Sequence, residues 1–320
     1  MKYLFILLFF VLKIDVMQKE QVPQAAITNG IINARLYLPD IEKGYYRGTR
    51  FDWSGVIPSL EYSGHNYFGQ WFEKYSPTLH DAIMGPVDDF TPVGYNEANR
   101  GGTFLKIGIG MVIKPDEEPY AFSRTYQITD NGKWDVRVTA DQVQFIHTLK
   151  AKDYNYEYEK TVRLVRDKPE LVISHTLRNK GEKTIETLVY NHNFFVIDNQ
   201  PVGPGFTAEF PFRLSGVFRD GADIAEIRDK SVILRRNLAK GETFFSEGLT
   251  GFSRSEKDYD IRIENKIVKA GVRITCDQPL AKLVFWSCPT TFCPEPYILI
   301  KAEPGREFSW NIHYNFYNMK

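Results

Sequence analysis

From about Ile27 onward, apolar and polar residues alternate with a period of two along most of the chain, the signature of strands with one buried face. Residues 161–166 (TVRLVR) set Val162 and Leu164 between polar neighbours. After Asp167-Lys168-Pro169-Glu170, the run LVISHTLRN alternates again through Leu171, Ile173, His175 and Leu177, which predicts a hairpin. The same pattern recurs at 231–236 and 260–264, and in residues 308–316 (FSWNIHYNF) every second residue is Phe, Trp, Ile, Tyr or Phe. No amphipathic pattern of helical period runs beyond about two turns, which is near or below the length of an ordinary helix. The expected fold is all-β and antiparallel. A sheet array of this size must close or pair face to face to hide its edges, which predicts a large β-sandwich. The Pro- and Gly-bearing stretches at 114–119 (KPDEEP) and 199–205 (NQPVGPG) are short enough to be turns, so residues 27–320 read as one domain.

The first residues change the picture at one end. Lys2 precedes an apolar run from Tyr3 to Leu12, the charged and hydrophobic regions of a secretory signal. That run is too short to span a bilayer comfortably. Residues 1–26 are therefore expected to be a leader with an approximate boundary. The remainder is expected to be exported, periplasmic or secreted, with no stable membrane insertion after leader removal. Lys plus Arg (40) balances Asp plus Glu (40), so no global field draws nucleic acid or an anionic membrane. Aromatic residues make up 14% of the chain, which suits strand surfaces and also stacking on the apolar faces of sugars. Cys276, Cys288 and Cys293 lie in the last fifth of the chain and read as small buried hydrophobes, with a Cys288–Cys293 bridge left open.

Candidate chemistry concentrates in two segments. In TTFCPEPYILIKAEPGREFSW, Glu295 is clamped between Pro294 and Pro296, as a rigid turn residue or as a base. In YNHNFFVID, His192 stands between Asn191 and Asn193 and before Phe194-Phe195, and the segment ends at Asp198. A histidine at a strand end beside aromatic walls is either structural or a general acid. His65 (EYSGHNYFGQW) and His80 (SPTLHDAIMG) fall in turn-rich segments, where binding groups are often displayed. His147, His175 and His313 sit inside alternating strands and read as structural. Metal-ligand spacings, phosphate-cradling loops in strand-to-helix context and the serine-hydrolase elbow are all missing, so no metal or cofactor is expected.

Together YNHNFF, the late PEPYI, the turn EPGREF and the closing WNIHYNFY resemble, in order and spacing, the aldose 1-epimerase (galactose mutarotase) family and its mutarotase-like superfamily. The resemblance covers most of the chain and implies a large antiparallel β-sandwich, in agreement with the periodicity. It implies Glu295 as catalytic base, His192 as general acid and Arg50 in GTRFDWSG as a ligand of sugar hydroxyls, with Arg47 three residues away an alternative. The chain departs from the family by lacking an early His-Gly pair. Arg100 in NRGG falls near that place, and His65 and His80 are alternatives. Trp71 and Trp286 offer stacking faces, and Asp198 is a further binding candidate. The implied reaction interconverts the anomers of an aldose by acid–base ring opening, without a cofactor, on a monosaccharide or oligosaccharide. It requires His192 and Glu295 to converge on one aromatic-lined face, about one sugar ring apart. The missing His-Gly pair keeps a non-catalytic sugar-binding protein on the same scaffold open, alongside a polysaccharide-processing accessory protein.

Overall fold

A computed structural model describes residues 22–320, so most of the expected leader lies outside the described residues. The first strand, Gln24–Thr28, takes in three residues that the sequence reading placed in that leader. The strands pair antiparallel and build two large and two small sheets.

Alternation along the chain translates directly into pairing. Asn155–Leu164 and Glu170–Asn179 form the expected hairpin, with Val162 opposite Ile173 and Leu164 opposite Leu171. Asp167 makes the turn at φ 58°, in the left-handed region that Asp tolerates better than most residues. In Glu307–Asn318 the alternate residues Trp310, Ile312, Tyr314 and Phe316 are buried and their neighbours face outward.

The sandwich consists of a ten-stranded sheet and a five-stranded sheet. Asn155–Leu164, Glu170–Asn179 and Glu307–Asn318 lie side by side within the larger sheet. The smaller has the order Phe244–Leu249, Lys282–Cys288, Thr291–Ala302, Ile185–Phe194, Gly85–Phe90. Their inner faces share one apolar core, to which Val162, Ile173, Val189, Phe285, Phe292 and Tyr314 contribute. Each such side chain contributes roughly 1.5–3 kcal/mol by leaving water.

An ionic cluster crosses this core. Lys160, from the ten-stranded sheet, places Nζ 2.7 Å from Asp88 Oδ2 and 3.3 Å from Asp52 Oδ2, and donates to the Ser54 carbonyl at 3.0 Å. His175 Nε2 lies 3.1 Å from Asp88 Oδ2, and the Asn191 amide donates to the other oxygen of Asp88. Tyr314 Oη is 3.0 Å from Asn191 Oδ1 and 2.9 Å from Asn193 Oδ1. Burial opposes ionisation of Asp88, but Lys160 and His175 beside it hold its carboxyl well below the usual range. Asp52 is held above that range by its burial, with Lys160 opposing the shift. The cluster joins the ten-stranded sheet, the strands Gly85–Phe90 and Ile185–Phe194 of the smaller sheet and the loop that carries Arg50.

Lys160→Met is expected to leave Asp52 without its cation and Asp88 with only His175 and Asn191, and to destabilise the protein by about 3–5 kcal/mol. Urea unfolding measures this directly, and an unchanged midpoint would mean that the cluster does not hold the sandwich together.

Candidate active site

The site forms where the two central strands of the five-stranded sheet lose their backbone ladder. Ile185–Phe194 and Thr291–Ala302 pair as far as Tyr190 opposite Tyr297. Beyond that rung Pro296 and Pro294 have no N–H to donate. The Asn193 side chain bridges the gap, donating to the Pro294 carbonyl at 3.0 Å. Two residues on from Tyr190 and Tyr297 stand His192 and Glu295, and they project on the same face because side chains repeat with a period of two. His192 Nε2 lies 3.3 Å from Glu295 Oε1. The flanking prolines thus have a structural consequence: they fix the backbone on both sides of Glu295 while it still pairs with Val284 of the next strand.

This outer face floors a cleft of about 360 Å³, within the size range of small-molecule sites. Asp89, Tyr190, His192, Glu295, Tyr297 and Trp286 line it. Gly85–Phe90 supplies both of its aspartates by the same alternation, Asp88 to the core cluster and Asp89 to the cleft.

Arg50 arrives on the loop between Ile32–Tyr37 and Val56–Tyr62, which is anchored by the Asp52 N–H donating to the Asp88 carbonyl at 2.9 Å. Its guanidinium donates from Nε to Asp89 Oδ2 (3.1 Å), from Nη1 to Asp81, and from Nη2 to Tyr190 Oη (2.9 Å). The group lies over the Phe122 ring at 4.2 Å and the Phe51 ring at 4.5 Å. Lys106, also buried, donates to Asp89 Oδ1 at 2.9 Å. Burial disfavours an ionised Asp81, but His80 and Arg50 hold its carboxyl below the ordinary range.

His192 is 3% exposed and Glu295 5%. Phe194 stacks on the imidazole at 3.7 Å between centroids, and Phe51 and Trp286 meet it edge-on at 5.8 Å. Burial pushes the Glu295 carboxyl up to about 8, against the opposing charge of Arg50. Burial, reinforced by Arg50, pushes the His192 imidazole well below its ordinary value. Both shifts favour the neutral forms, a carboxylic acid beside an imidazole. His192 Nδ1 is buried without a hydrogen-bond partner.

The sequence-derived candidates divide. Glu295, His192, Arg50, Trp71 and Trp286 all line the cleft. Trp71 stacks on Phe194 at 4.8 Å and donates its indole N–H to the Ile83 carbonyl at 2.9 Å. His80 stands behind the cleft wall, with Nε2 3.1 Å from Asp81 Oδ2. Arg47 turns away and donates to the Ile41 carbonyl at 3.2 Å.

His65, Asp198 and Arg100 lie outside the cleft. His65 Nδ1 is 2.6 Å from Asp198 Oδ2, and Asp198 also accepts the Asn66 N–H at 2.8 Å. That pair ties the short strand His65–Asn66 to the turn Ile197–Asn199. Arg100 sits in an exposed turn, where its N–H bonds to Glu117 Oε1 at 2.8 Å. The expected spacing of one sugar ring between His192 and Glu295 is replaced by direct contact, because neighbouring strands put the two side chains on adjacent positions. Cys276, Cys288 and Cys293 are all free thiols, so Cys288 and Cys293 do not bridge.

Sequence reading did not single out Asp89, Asp81, Tyr190 or Tyr297. The available signal for Asp89 was the Asp-Asp doublet in GPVDDF: in a strand, one of two neighbouring aspartates must face away from the core.

A carboxyl with a raised folded-state pKa leaves the native state holding more protons than the unfolded chain, from about 4.5 up to about 8. Stability therefore falls as pH rises through that window, by up to about 1.4 kcal/mol per unit. The lowered His192 acts oppositely below its ordinary value of 6.5. Between pH 6.5 and 8 Glu295 acts alone, so Glu295→Gln is expected to gain stability over the wild type as pH is raised across this range. Urea melts at both pH values test this, and an equal difference at the two would overturn the raised carboxyl.

No protein-family model and no curated protein matches the chain. Solved structures do. A galactose mutarotase related enzyme from Lactobacillus acidophilus is 13% identical with a TM-score of 0.55, covering 93% of this chain and 98% of its own. A galactose mutarotase-like protein from Lactobacillus casei is 14% identical with a TM-score of 0.54, covering 92% and 100%. An aldose epimerase homologue from C. elegans is 13% identical with a TM-score of 0.55, covering 94% and 99%. These likenesses span nearly the whole of each partner at low identity, and what they establish is that the chain has the galactose mutarotase-like fold.

Proposed function

We propose that the protein interconverts the α and β anomers of an aldose by acid–base ring opening. The observation that carries this reading is the buried His192–Glu295 contact in an aromatic cleft beside a fixed arginine.

In a cyclic aldose the anomeric hydroxyl and the ring oxygen sit on one carbon, so a proton acceptor and a proton donor held side by side can serve both. His192 takes the proton of the anomeric hydroxyl while Glu295 gives its proton to the ring oxygen. The bond from the anomeric carbon to the ring oxygen breaks, its electron pair stays on that oxygen, and the aldehyde forms. Rotation about the neighbouring carbon–carbon bond and the reverse transfers close the other anomer and restore the pair. The resemblance implies the opposite assignment, Glu295 as base and His192 as acid, which has the same proton count with the proton on the other partner. One transfer across the 3.3 Å contact converts one state into the other. Arg50 orients sugar hydroxyls through the N–H groups that Asp89, Asp81 and Tyr190 leave unused, and Trp71, Trp286 and Tyr297 supply apolar faces. The apolar run from Tyr3 to Leu12 supports placing this reaction outside the cytoplasm.

Polarimetry or NMR exchange with freshly dissolved α-glucose and α-galactose tests the reading. Glu295→Gln and His192→Ala are each expected to lower the rate by ~10²- to 10⁴-fold, the usual worth of a positioned acid or base. The wild-type rate is expected to fall above pH about 8, as Glu295 loses its proton, and again in acid well below 6.5, as His192 gains one. Saturable sugar binding without acceleration would assign the cleft to recognition instead of catalysis.

A further inference from the structure

We infer that the cleft receives the reducing end of an uncharged oligosaccharide whose chain runs along the outer face of the five-stranded sheet toward Glu186 and Lys301; this rests on the anomerase reading above. The cleft is not closed at that side. A second cavity, of about 770 Å³, adjoins it and shares Thr91, Pro92 and Tyr120 as lining.

The register shows how the two are joined. Tyr190 opposite Tyr297, Leu188 opposite Leu299 and Glu186 opposite Lys301 are successive rungs on one face. They lead from His192 and Glu295 at one end to residues that line the second cavity at the other. His192 and Glu186 stand six positions apart along Ile185–Phe194, roughly 20 Å at about 3.3 Å each, longer than one sugar ring. Leu299, in the middle of this path, is 50% exposed and offers an apolar step on the outer surface of the sheet.

The lining identifies the chemistry of the occupant. Glu97 and Glu186 balance Lys183 and Lys301, and Lys301 Nζ is already 3.4 Å from Glu186 Oε2. No net charge selects a polyanion or polycation. Tyr95, Tyr120 and Tyr154 suit the apolar faces of sugar rings, and Asn96 and Thr184 suit their hydroxyls. A free anomeric centre needs chain on one side only. The cavity on the opposite flank, past Trp71 and Asp81, is lined by Phe72, Leu79 and Pro289 together with Glu73, Lys240, Glu242 and Thr290, and the ladder from Tyr190 to Glu186 runs away from it.

The test compares reducing-end anomeric exchange by NMR for glucose, xylose and galactose with that for maltotriose, cellotriose, xylotriose and β-1,4-galactotriose. At least one trisaccharide is expected to show kcat/KM ten times or more that of its parent monosaccharide. Leu299→Ala combined with Lys301→Ala, both at exposed positions, is expected to cut that advantage at least threefold. Monosaccharides turned over as fast as every trisaccharide would overturn the chain path and leave the anomerase standing. Exchange of no sugar, together with no binding of any trisaccharide by calorimetry, would overturn both. Trisaccharide binding without exchange, weakened by the double variant, would support the path and remove the catalytic reading.

Discussion

Alternation across the five-stranded sheet is the constraint on which the site depends. Asp89 and His192, which face the cleft, have chain neighbours locked into the sandwich core. Asp89 follows Asp88, which is held by Lys160 and His175; His192 lies between Asn191 and Asn193, both held by Tyr314. The loop bearing Arg50 is tied at Asp52 to the same cluster. The backbone under the cleft is thereby positioned from behind, the kind of support that keeps a functional group within a fraction of an ångström of its working geometry.

This arrangement also explains how two ionisable groups sit together in so dry a place. A carboxylate and an imidazolium buried here would each carry a large desolvation penalty. Arg50 does not neutralise Glu295, because its charge is already committed to Asp89 and Asp81. What remains favourable is the neutral pair, a carboxylic acid beside an imidazole. Such a pair is costly to ionise and easy to use for proton transfer, which matches the trade of stability for function seen in active sites generally.

Much of the fold was legible because period-two alternation is a local property. Val162, Leu164, Leu171 and Ile173 announced their hairpin, and Trp310, Ile312, Tyr314 and Phe316 announced a strand with one buried side. Glu295 and His192 were legible through their crowded neighbours, and Arg50, Trp71 and Trp286 through the segments that carry them. The order of strands was not, since it depends on pairings between residues about a hundred positions apart. That is why the contact of His192 with Glu295 was read as a wider gap, and why Asp198 was read into the site although its carboxylate turns to His65. Arg100 was misplaced for a similar reason: a turn's path over the surface is not written in its Gly pair. Asp89 and Tyr190 escaped because inside a strand they look like their core-facing neighbours.

Sharing a fold does not assign a reaction, so the functional argument rests on residues. Under the proposed anomer exchange, three demands fall to three different physical devices. Proton transfer in both directions needs a donor and an acceptor side by side, and burial favours the neutral acid and the neutral imidazole that fill those roles. Orientation needs a group that does not rotate, and Arg50 is fixed by two carboxylates, a phenol and two phenyl rings. Exclusion of water needs apolar walls: Phe194 and Trp286 close around the imidazole, and Trp71 stacks on Phe194. A purely structural glutamate would need none of these. The two prolines around Glu295 therefore do more than shape a turn: by ending the ladder beside His192, they leave the carboxyl facing an imidazole where a continued strand would have carried the pairing past it.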